Sequence, residues 1–306
     1  MNPLRGIALK ILSVCIFVAM ASLIKAASDH VPPGQAVFFR SAFAIPVIVV
    51  WLALRGELSV GLRTTNPMGH LWRGLVGTVA MGLTFAGLGL LPLPEVTAIG
   101  YAAPLLVVVF AAMFLGEEVR LFRLSAVGLG LVGVLIVLSP RFSVGAEPDE
   151  GQLLGAVVVL GGAVFAALAQ VFVRRLVSTE STAAIVFYFS VTATGLSLIT
   201  LVWGWVLPGP GEAAMLVLAG IAGGVGQILL TSSYRHADAS LVAPFEYTSM
   251  LLSILVGYLV FSEVPTGTML VGAGIVVAAG VLIILRERHL GLKRARQRRA
   301  MPPSNG

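Results

Sequence analysis

Apolar runs long enough to cross a lipid bilayer recur along the whole of this chain of 306 residues. Each run holds about 20 residues, the length that an α-helix needs to span a hydrocarbon core roughly 30 Å thick. Open β-strands would leave unpaired edges in lipid, and the runs lack the alternation of a membrane barrel. Charged residues make up 11% of the chain, against about 25% in soluble domains. The sequence therefore predicts an all-α integral membrane protein.

The pattern predicts ten transmembrane helices joined by short loops. We place them at residues 6–26, 34–54, 70–91, 93–115, 122–139, 151–173, 182–206, 213–235, 239–261 and 266–286. The polar stretches between and after them are too short to fold alone. We therefore divide the chain into a first five-helix unit, a second one and a basic cytoplasmic tail, at residues 5–142, 150–286 and 287–306.

The distribution of Lys and Arg between the predicted loops sets the orientation. Sixteen of the 20 lie on the side that holds the N-terminus, Arg73 among them, whereas Lys25 and Arg141 lie on the other side. Lys10 and Arg40 lie inside helices. Because Lys and Arg accumulate on the cytoplasmic side, both termini are predicted to be cytoplasmic, with the protein in the plasma membrane, the inner membrane in a bacterium. The basic tail is expected to contact anionic lipid rather than nucleic acid.

The two five-helix units repeat one another. One constant shift places Tyr101 on Tyr247 and Glu117 on Glu263 with no gap between them. Because five is an odd number, the second unit must enter the membrane from the opposite side. Such inverted repeats are common among secondary transporters, whose substrate sites lie near the midplane between the copies. The N-terminus has the features of a signal peptide, but the repeat requires it as the first helix.

These features together resemble the drug/metabolite transporter superfamily, EamA type. The resemblance rests on the two five-helix copies, on the acidic residues of "LGE" and "FSE" that close the fourth and ninth helices, and on the glycine-rich helix after each. It covers about residues 5–286. It implies a central cavity lined by both halves, and a permease that moves a small organic metabolite by alternating access without ATP. Amino acids, vitamins, nucleoside-like compounds and drugs are the substrate classes it leaves open.

Two charged residues lie inside spans where the other copy has no charge. Arg40 lies about six residues into its span, roughly 9 Å along the helix, and Glu246 has Gly100 as its counterpart. An arginine at membrane depth costs on the order of 3 kcal/mol, and its planar fork suits a carboxylate or phosphate. A carboxylate there can exchange a proton or hold an ammonium group. We expect both to face a substrate cavity, with Glu246 as the first partner of Arg40. The alternatives are snorkelling of Arg40 or structural pairing.

Other polar residues within spans are weaker candidates. Those for substrate contact are Gln170, Gln227, Tyr101 and Tyr247, and those for hinges are Pro104 and Pro244. Hydrogen bonding between helices explains the two glutamines equally well, whereas a proline can free backbone carbonyls at membrane depth. Glu117 and Glu263 recur in both copies, so we expect each to be structural and to bind the first amides of the next helix. Lys25 is expected to snorkel to the outer surface, with a cavity rim as the alternative.

Several functions are excluded by what the sequence lacks. It has no Walker A sequence, so this chain alone cannot pump with ATP, and it has no HExxH or clustered Cys/His pattern. The "GLGLVG" at 128–133 lies in mid-span with no preceding strand, so it is not a dinucleotide site. We expect no cofactor and no metal. The expected partners are a small-molecule solute and the bilayer, while proton coupling and a homodimer stay open. The alternatives to transport are a membrane-embedded enzyme and a receptor.

Overall fold

The structure is a computed structural model that describes residues 3–115, 121–139, 150–176, 179–236 and 243–300. The regular elements in these ranges are helices. They are α1 (Pro3–Ala27), α2 (Pro33–Ala42), α3 (Ala44–Leu54), α4 (Leu58–Gly61), α5 (Pro67–Leu90), α6 (Leu93–Gly100), α7 (Ala102–Leu115), α8 (Leu121–Leu138), α9 (Glu150–Leu176), α10 (Thr182–Leu198), α11 (Pro210–His236), α12 (Thr248–Phe261) and α13 (Gly267–Ala300). Two 3₁₀ segments, Ile199–Trp203 and Ala243–Tyr247, follow α10 and precede α12.

Membrane-length helices dominate the described part of the chain. Eight helical stretches are long and apolar enough to cross a membrane, and two shorter apolar helices lie at Leu124–Leu138 and Phe245–Phe261. The predicted all-α membrane architecture is therefore confirmed. The number of crossings, the inverted repeat and the side on which each terminus lies stay predictions.

Proline breaks two of the apolar spans. In the span Pro33–Leu54, α2 ends at Ala42, four residues before Pro46. In the next broken span, α6 ends at Gly100, four residues before Pro104. A proline has no N–H to donate to the carbonyl four residues earlier, and its ring crowds that carbonyl. The break at Tyr101 thus follows directly from Pro104, the predicted hinge, whereas the sequence analysis did not single out Pro46.

Three long helix pairs form the frame of the molecule. α1 packs along α11, α5 along α9, and α8 along α13. In the third pair the backbones approach closely, because glycines face each other. A Cβ added to Gly272 would lie 2.6 Å from the Gly133 carbonyl oxygen and 2.8 Å from the Val137 nitrogen. Small residues at such crossings let two helices pack backbone to backbone, which is a main source of association energy in lipid.

This contact generates a stability prediction. Gly272→Ala should lower the free energy of unfolding by about 1–3 kcal/mol, because the atoms in its way are backbone atoms that cannot rotate aside. Gly274→Ala is the matched control, since the space around Gly274 is open and it lies on the same helix. The measurement is the unfolding midpoint of the purified protein in detergent. Equal midpoints for the two variants would show that α8 and α13 do not approach as described.

Candidate functional site

A cavity of about 590 Å³ lies among α1, α2, α5, α9, α10 and α11. This volume is in the range of small-molecule sites, which are mostly apolar with a few polar groups. Its apolar wall includes Met20, Met81, Phe85 and Val186. Its polar lining residues are Arg40, Arg73, Thr84, Gln170, Thr182 and Gln227. Three of the predicted site residues, Arg40, Gln170 and Gln227, are thus brought together in one cavity.

Arg40 lies in α2 and is 6% exposed. Gly223 of α11 makes room for its side chain, since a Cβ on this glycine would lie 3.0 Å from Arg40 Nε. Within the described residues Nε is buried and has no hydrogen-bond partner. The side chain therefore does not follow the snorkelling alternative, in which the guanidinium would reach water at the membrane surface.

A second arginine, Arg73 of α5, lies on the same cavity. Phe189 of α10 contacts both guanidinium groups, with its ring centroid 3.9 Å from Arg73 Cζ and 5.6 Å from Arg40 Cζ. Both distances are within the range of a cation–π contact. Arg73 Nε and Nη1 are buried, and the described chain offers them no hydrogen-bond partner. Arg73 was counted with the cytoplasmic charges and was not selected as a site residue. The structure shows that it also lines the cavity, because α5 begins at Pro67 and Arg73 lies beyond its first turn.

The described lining of the cavity offers the two arginines no carboxylate. The Phe189 ring centroid lies 5.6 Å from Arg40 Cζ and 3.9 Å from Arg73 Cζ, so the two Cζ atoms cannot be farther apart than these two distances together. Like charges at about 10 Å repel by roughly 2 kcal/mol at an effective dielectric constant of about 20. No acidic side chain is among the described residues that line this cavity. The described lining of the cavity is therefore positively charged.

The start of α5 is held by Glu180, which lies just before α10. One oxygen of this carboxylate accepts hydrogen bonds from the Thr65 amide and hydroxyl, both at 2.8 Å, and from the Asn66 amide at 3.0 Å. The other oxygen lies 3.2 Å from His70 Nε2. Burial raises the pKa of Glu180, but the hydrogen bonds from Thr65 and His70 outweigh it and lower the pKa to about 2. Glu180 is therefore ionised at neutral pH and fixes the end of the helix that presents Arg73.

The other predicted site residues form a second polar cluster. Glu246 forms an ion pair with Lys10 of α1, whose side chain is 2% exposed, rather than with Arg40. Tyr101 and Tyr247 pack edge to face with ring centroids 5.0 Å apart. Ser249 donates to the Glu246 carbonyl oxygen at 2.7 Å and shares a hydrogen bond with the Tyr101 hydroxyl. The expected pairing of Arg40 with Glu246 does not occur, because a buried lysine on α1 takes that carboxylate.

This second cluster lies where the helices are irregular. Glu246 and Pro244 belong to the 3₁₀ segment Ala243–Tyr247, and Tyr101 occupies the break between α6 and α7. Pro104 lies three residues beyond that break, at the start of α7. A hinge role for the two prolines stays a prediction. The structure nevertheless locates both of them beside the irregular backbone that such a role requires.

Lys25 and Glu263 join α1 to the end of α12. Lys25 Nζ lies 2.9 Å from Glu263 Oε1 and donates to the Leu88 and Leu91 carbonyl oxygens at 3.1 and 2.8 Å. Glu263 Oε2 accepts from the Leu93 amide at 2.9 Å. The prediction that Lys25 snorkels was wrong, because the turn before α6 leaves carbonyls that it satisfies. As expected, Glu263 binds a backbone amide at the start of a helix. This helix is α6, however, and not the helix that follows Glu263 in the chain. Glu117 lies outside the described residues.

Membrane-length helices around a cavity that is lined by two arginines and by neutral hydrogen-bonding groups indicate a membrane carrier for small solutes. The EamA-like transporter family matches residues 4–139 and 153–286. The chain therefore belongs to this family, and it is a transporter of a small metabolite.

Several curated relatives are similar over most of their length. The pseudopaline exporter CntI of Pseudomonas aeruginosa is 32% identical over 280 residues, which are 91% of this chain and 95% of the relative. The S-adenosylmethionine uptake transporter of Rickettsia bellii is 28% identical over 254 residues, 83% of this chain and 84% of the relative. The riboflavin transporter of Vibrio cholerae is 28% identical over 287 residues, 92% of this chain and 93% of the relative.

The fold has a solved counterpart. A protein known from a crystal structure has a TM-score of 0.66 at 22% sequence identity, and the alignment covers 93% of this chain and 98% of that one. At this level of identity the likeness concerns the fold alone.

The ion pair between Lys10 and Glu246 generates a prediction for charge reversal. Lys10→Glu and Glu246→Lys should each lower the free energy of unfolding by about 3 kcal/mol, because each places two like charges together inside a span. The double reversal should recover much of this loss. The measurement is a double-mutant cycle on unfolding midpoints in detergent.

The matched control is Arg55–Glu57, an exposed pair 3.2 Å apart. Reversal of this pair should change the midpoint little, since exposed ion pairs contribute about 0–1 kcal/mol. If the Lys10–Glu246 double reversal is no more stable than the worse of its single variants, the two side chains do not form the pair described.

Proposed function

We propose that this protein is a secondary transporter that crosses the membrane ten times and moves a small organic solute by alternating access. In this proposal both termini are cytoplasmic and the two halves are inverted copies. The two separate matches to the EamA-like family, residues 4–139 and 153–286, support a duplicated chain. Transport without enzymatic chemistry is supported by the relatives, which are named as an exporter and as transporters.

The packing of the long helices supports the inverted repeat. The sequence shift pairs α1 with α9, α5 with α11 and α8 with α13 as equivalent helices of the two halves. A two-fold operation that exchanges them turns the contact α1–α11 into the contact α9–α5, and turns α8–α13 into itself. These are the three long helix pairs of the molecule. Transporters with such repeats alternate by rocking one part of the structure against the other around a central site.

The position of the cavity supports an inward-facing state. Under the proposed topology Gln170, Thr182 and Leu230 lie near the cytoplasmic ends of their helices, and all three line the cavity. Contacts between the halves close the outer side. Gln35 makes two hydrogen bonds with the backbone of Val206, at 2.9 and 3.1 Å, and Lys25 pairs with Glu263. In the outward-facing state these outer contacts would have to separate.

Proton coupling is a further part of the proposal, and Glu246 is the group we assign to it. Its side chain is 45% exposed while the Lys10 ammonium beside it is buried. Protonation of the carboxylate would remove the charge that holds Lys10, and so would loosen α1 from the 3₁₀ segment before α12. Movement of α1 relative to the second half is the kind of rearrangement that alternating access requires.

The experiment is solute uptake by proteoliposomes that contain the full chain, offered a pooled panel of labelled metabolites under an imposed pH gradient, with and without a protonophore. The wild type should accumulate at least one panel member without ATP. Gln170→Leu should raise the KM for that solute roughly three- to tenfold, the effect of one lost hydrogen bond. Gln152→Leu is the matched control, because Gln152 lies on the same helix but not on the cavity.

Two results would contradict this proposal. The first is that the wild type transports no member of the panel. The second is that Gln170→Leu and Gln152→Leu transport the solute with the same KM. The assignment of proton coupling would be supported if the protonophore abolishes accumulation by the wild type and if Glu246→Gln does not accumulate the solute. Accumulation that the protonophore leaves unchanged would refute that assignment without touching the cavity.

A further inference from the structure

We propose that Arg40 and Arg73 together bind the anionic part of the transported solute, and that the solute is an organic anion with a phosphate or a pair of carboxylates. This inference rests on the proposed transport function, and it names the substrate class of the same cavity. Arg73, which the sequence analysis did not select, becomes the second binding residue of the site.

The geometry of the two arginines fits a divalent oxyanion. Both guanidinium groups approach one ring, Phe189, and both belong to residues that line the cavity. Each guanidinium presents its N–H donors in a planar fork that matches a carboxylate or phosphate. Two such forks around one space provide charge and donors for a doubly charged group. A single carboxylate would leave one of them without a counter-charge.

The two lysines of the described spans have carboxylate partners, unlike the two arginines. Lys10 is paired with Glu246, and Lys25 with Glu263. Arg40 and Arg73 instead have buried N–H donors to which the described chain offers no acceptor. Contact with the Phe189 ring provides attraction to a cation but no hydrogen-bond acceptor for these donors. A bound oxyanion would supply both the charge and the acceptors.

Local packing keeps the two arginines beside Phe189. Gly77 lies one helical turn beyond Arg73, and a Cβ at this position would lie 2.9 Å from the Phe189 ring and would also meet the Arg73 guanidinium. Glycine at this position thus lets the ring and the guanidinium approach each other. Phe189 is therefore a positioning residue, which contacts both guanidinium groups while both arginines line the cavity.

The other residues that line the cavity indicate the chemistry of the rest of the solute. Gln170 and Gln227 offer neutral hydrogen-bonding groups, and Met20, Met81 and Phe85 offer an apolar wall. An amide side chain can both donate and accept. The cavity therefore suits a compact organic molecule with an anionic end, some neutral polar groups and an apolar body, within a volume of about 590 Å³.

The test measures how anions shift the unfolding midpoint of the full chain in detergent. The probes are inorganic phosphate and succinate, compared with neutral succinamide and with chloride at equal ionic strength. We expect the two probes, but neither comparison compound, to raise the midpoint of the wild type. Arg40→Gln and Arg73→Gln should each weaken the apparent affinity at least roughly tenfold, because a charged hydrogen-bonding group is lost. Arg40→Lys and Arg73→Lys should recover part of the affinity.

Arg55→Gln is the matched control for these variants. Arg55 also stacks on an aromatic ring, Trp51, at 5.1 Å, but it is exposed and does not line the cavity. Its loss should leave the response to both probes unchanged. Phosphate and succinate that stabilise the wild type no more than chloride does, or that stabilise Arg40→Gln and Arg73→Gln equally well, would overturn the inference.

A second arm separates a soluble solute from a lipid headgroup with the same chemistry. Phosphatidylglycerol replaces the soluble probes in the detergent. Stabilisation by this lipid that depends on Arg40 and Arg73, with no effect of the soluble anions, would overturn the assignment to a solute.

The transport panel separates this inference from the proposed function. Uptake of a neutral or cationic metabolite that is unchanged in Arg40→Gln would leave the transporter function in place and refute the anion site. Arginine-dependent binding of the probes with no transport of any panel member would refute the transporter function instead. Uptake of an anionic member that is lost in Arg40→Gln and Arg73→Gln, and kept in Arg55→Gln, supports both.

Discussion

The hydrocarbon core of a bilayer contains no water, so a polar group inside a span must find its partner within the protein. Helices satisfy this rule for the backbone. Among the side chains, Lys10 pairs with Glu246, and Lys25 pairs with Glu263 and with the carbonyls of the turn before α6. The buried donors of Arg40 and Arg73 are left without acceptors in the described chain. In the proposed anion site, a bound solute would satisfy these donors by the same physical rule that explains the paired lysines.

The two lysines of α1 also link the halves of the molecule. Lys10 pairs with Glu246 near the start of the segment Ala243–Phe261, and Lys25 pairs with Glu263 just beyond its end. One helix of the first half is therefore held to the second half at two depths. The start of this segment is a 3₁₀ turn, and Tyr101 contacts it from the break between α6 and α7. Irregular backbone and ion pairs that can separate lie side by side here. In the proposed transport cycle, this is where a change in charge would become a change in packing.

Much of the fold could be predicted because membrane helices follow from the length and composition of apolar runs. The second predicted helix, 34–54, lies within one residue of the observed span Pro33–Leu54. Pro104 likewise indicated the irregular backbone at Tyr101, between α6 and α7. Side-chain partners could not be predicted in this way, because they depend on how helices rotate about their axes. Glu246 was expected opposite Arg40, yet Lys10 takes it. Arg73 was missed because the predicted span began at residue 70, which left this arginine at the membrane edge; Gly77 one turn later was the available hint that its side chain packs inward.

If the arginine-lined cavity is the path of the solute, a cysteine on its wall should be accessible to a thiol reagent and protected by the solute. Cys15 is the single cysteine of the chain, so Cys15→Ala provides a background for Ala166→Cys on the cavity wall and for Ala163→Cys, a buried control on the same helix. A membrane-impermeant thiol reagent is applied to oriented vesicles from each side, with and without the transported solute. We expect Ala166→Cys to react from the cytoplasmic side and the solute to slow this reaction. Ala163→Cys should react from neither side. Equal reactivity of the two cysteines, or a reaction at Ala166→Cys that the solute leaves unchanged, would contradict this expectation.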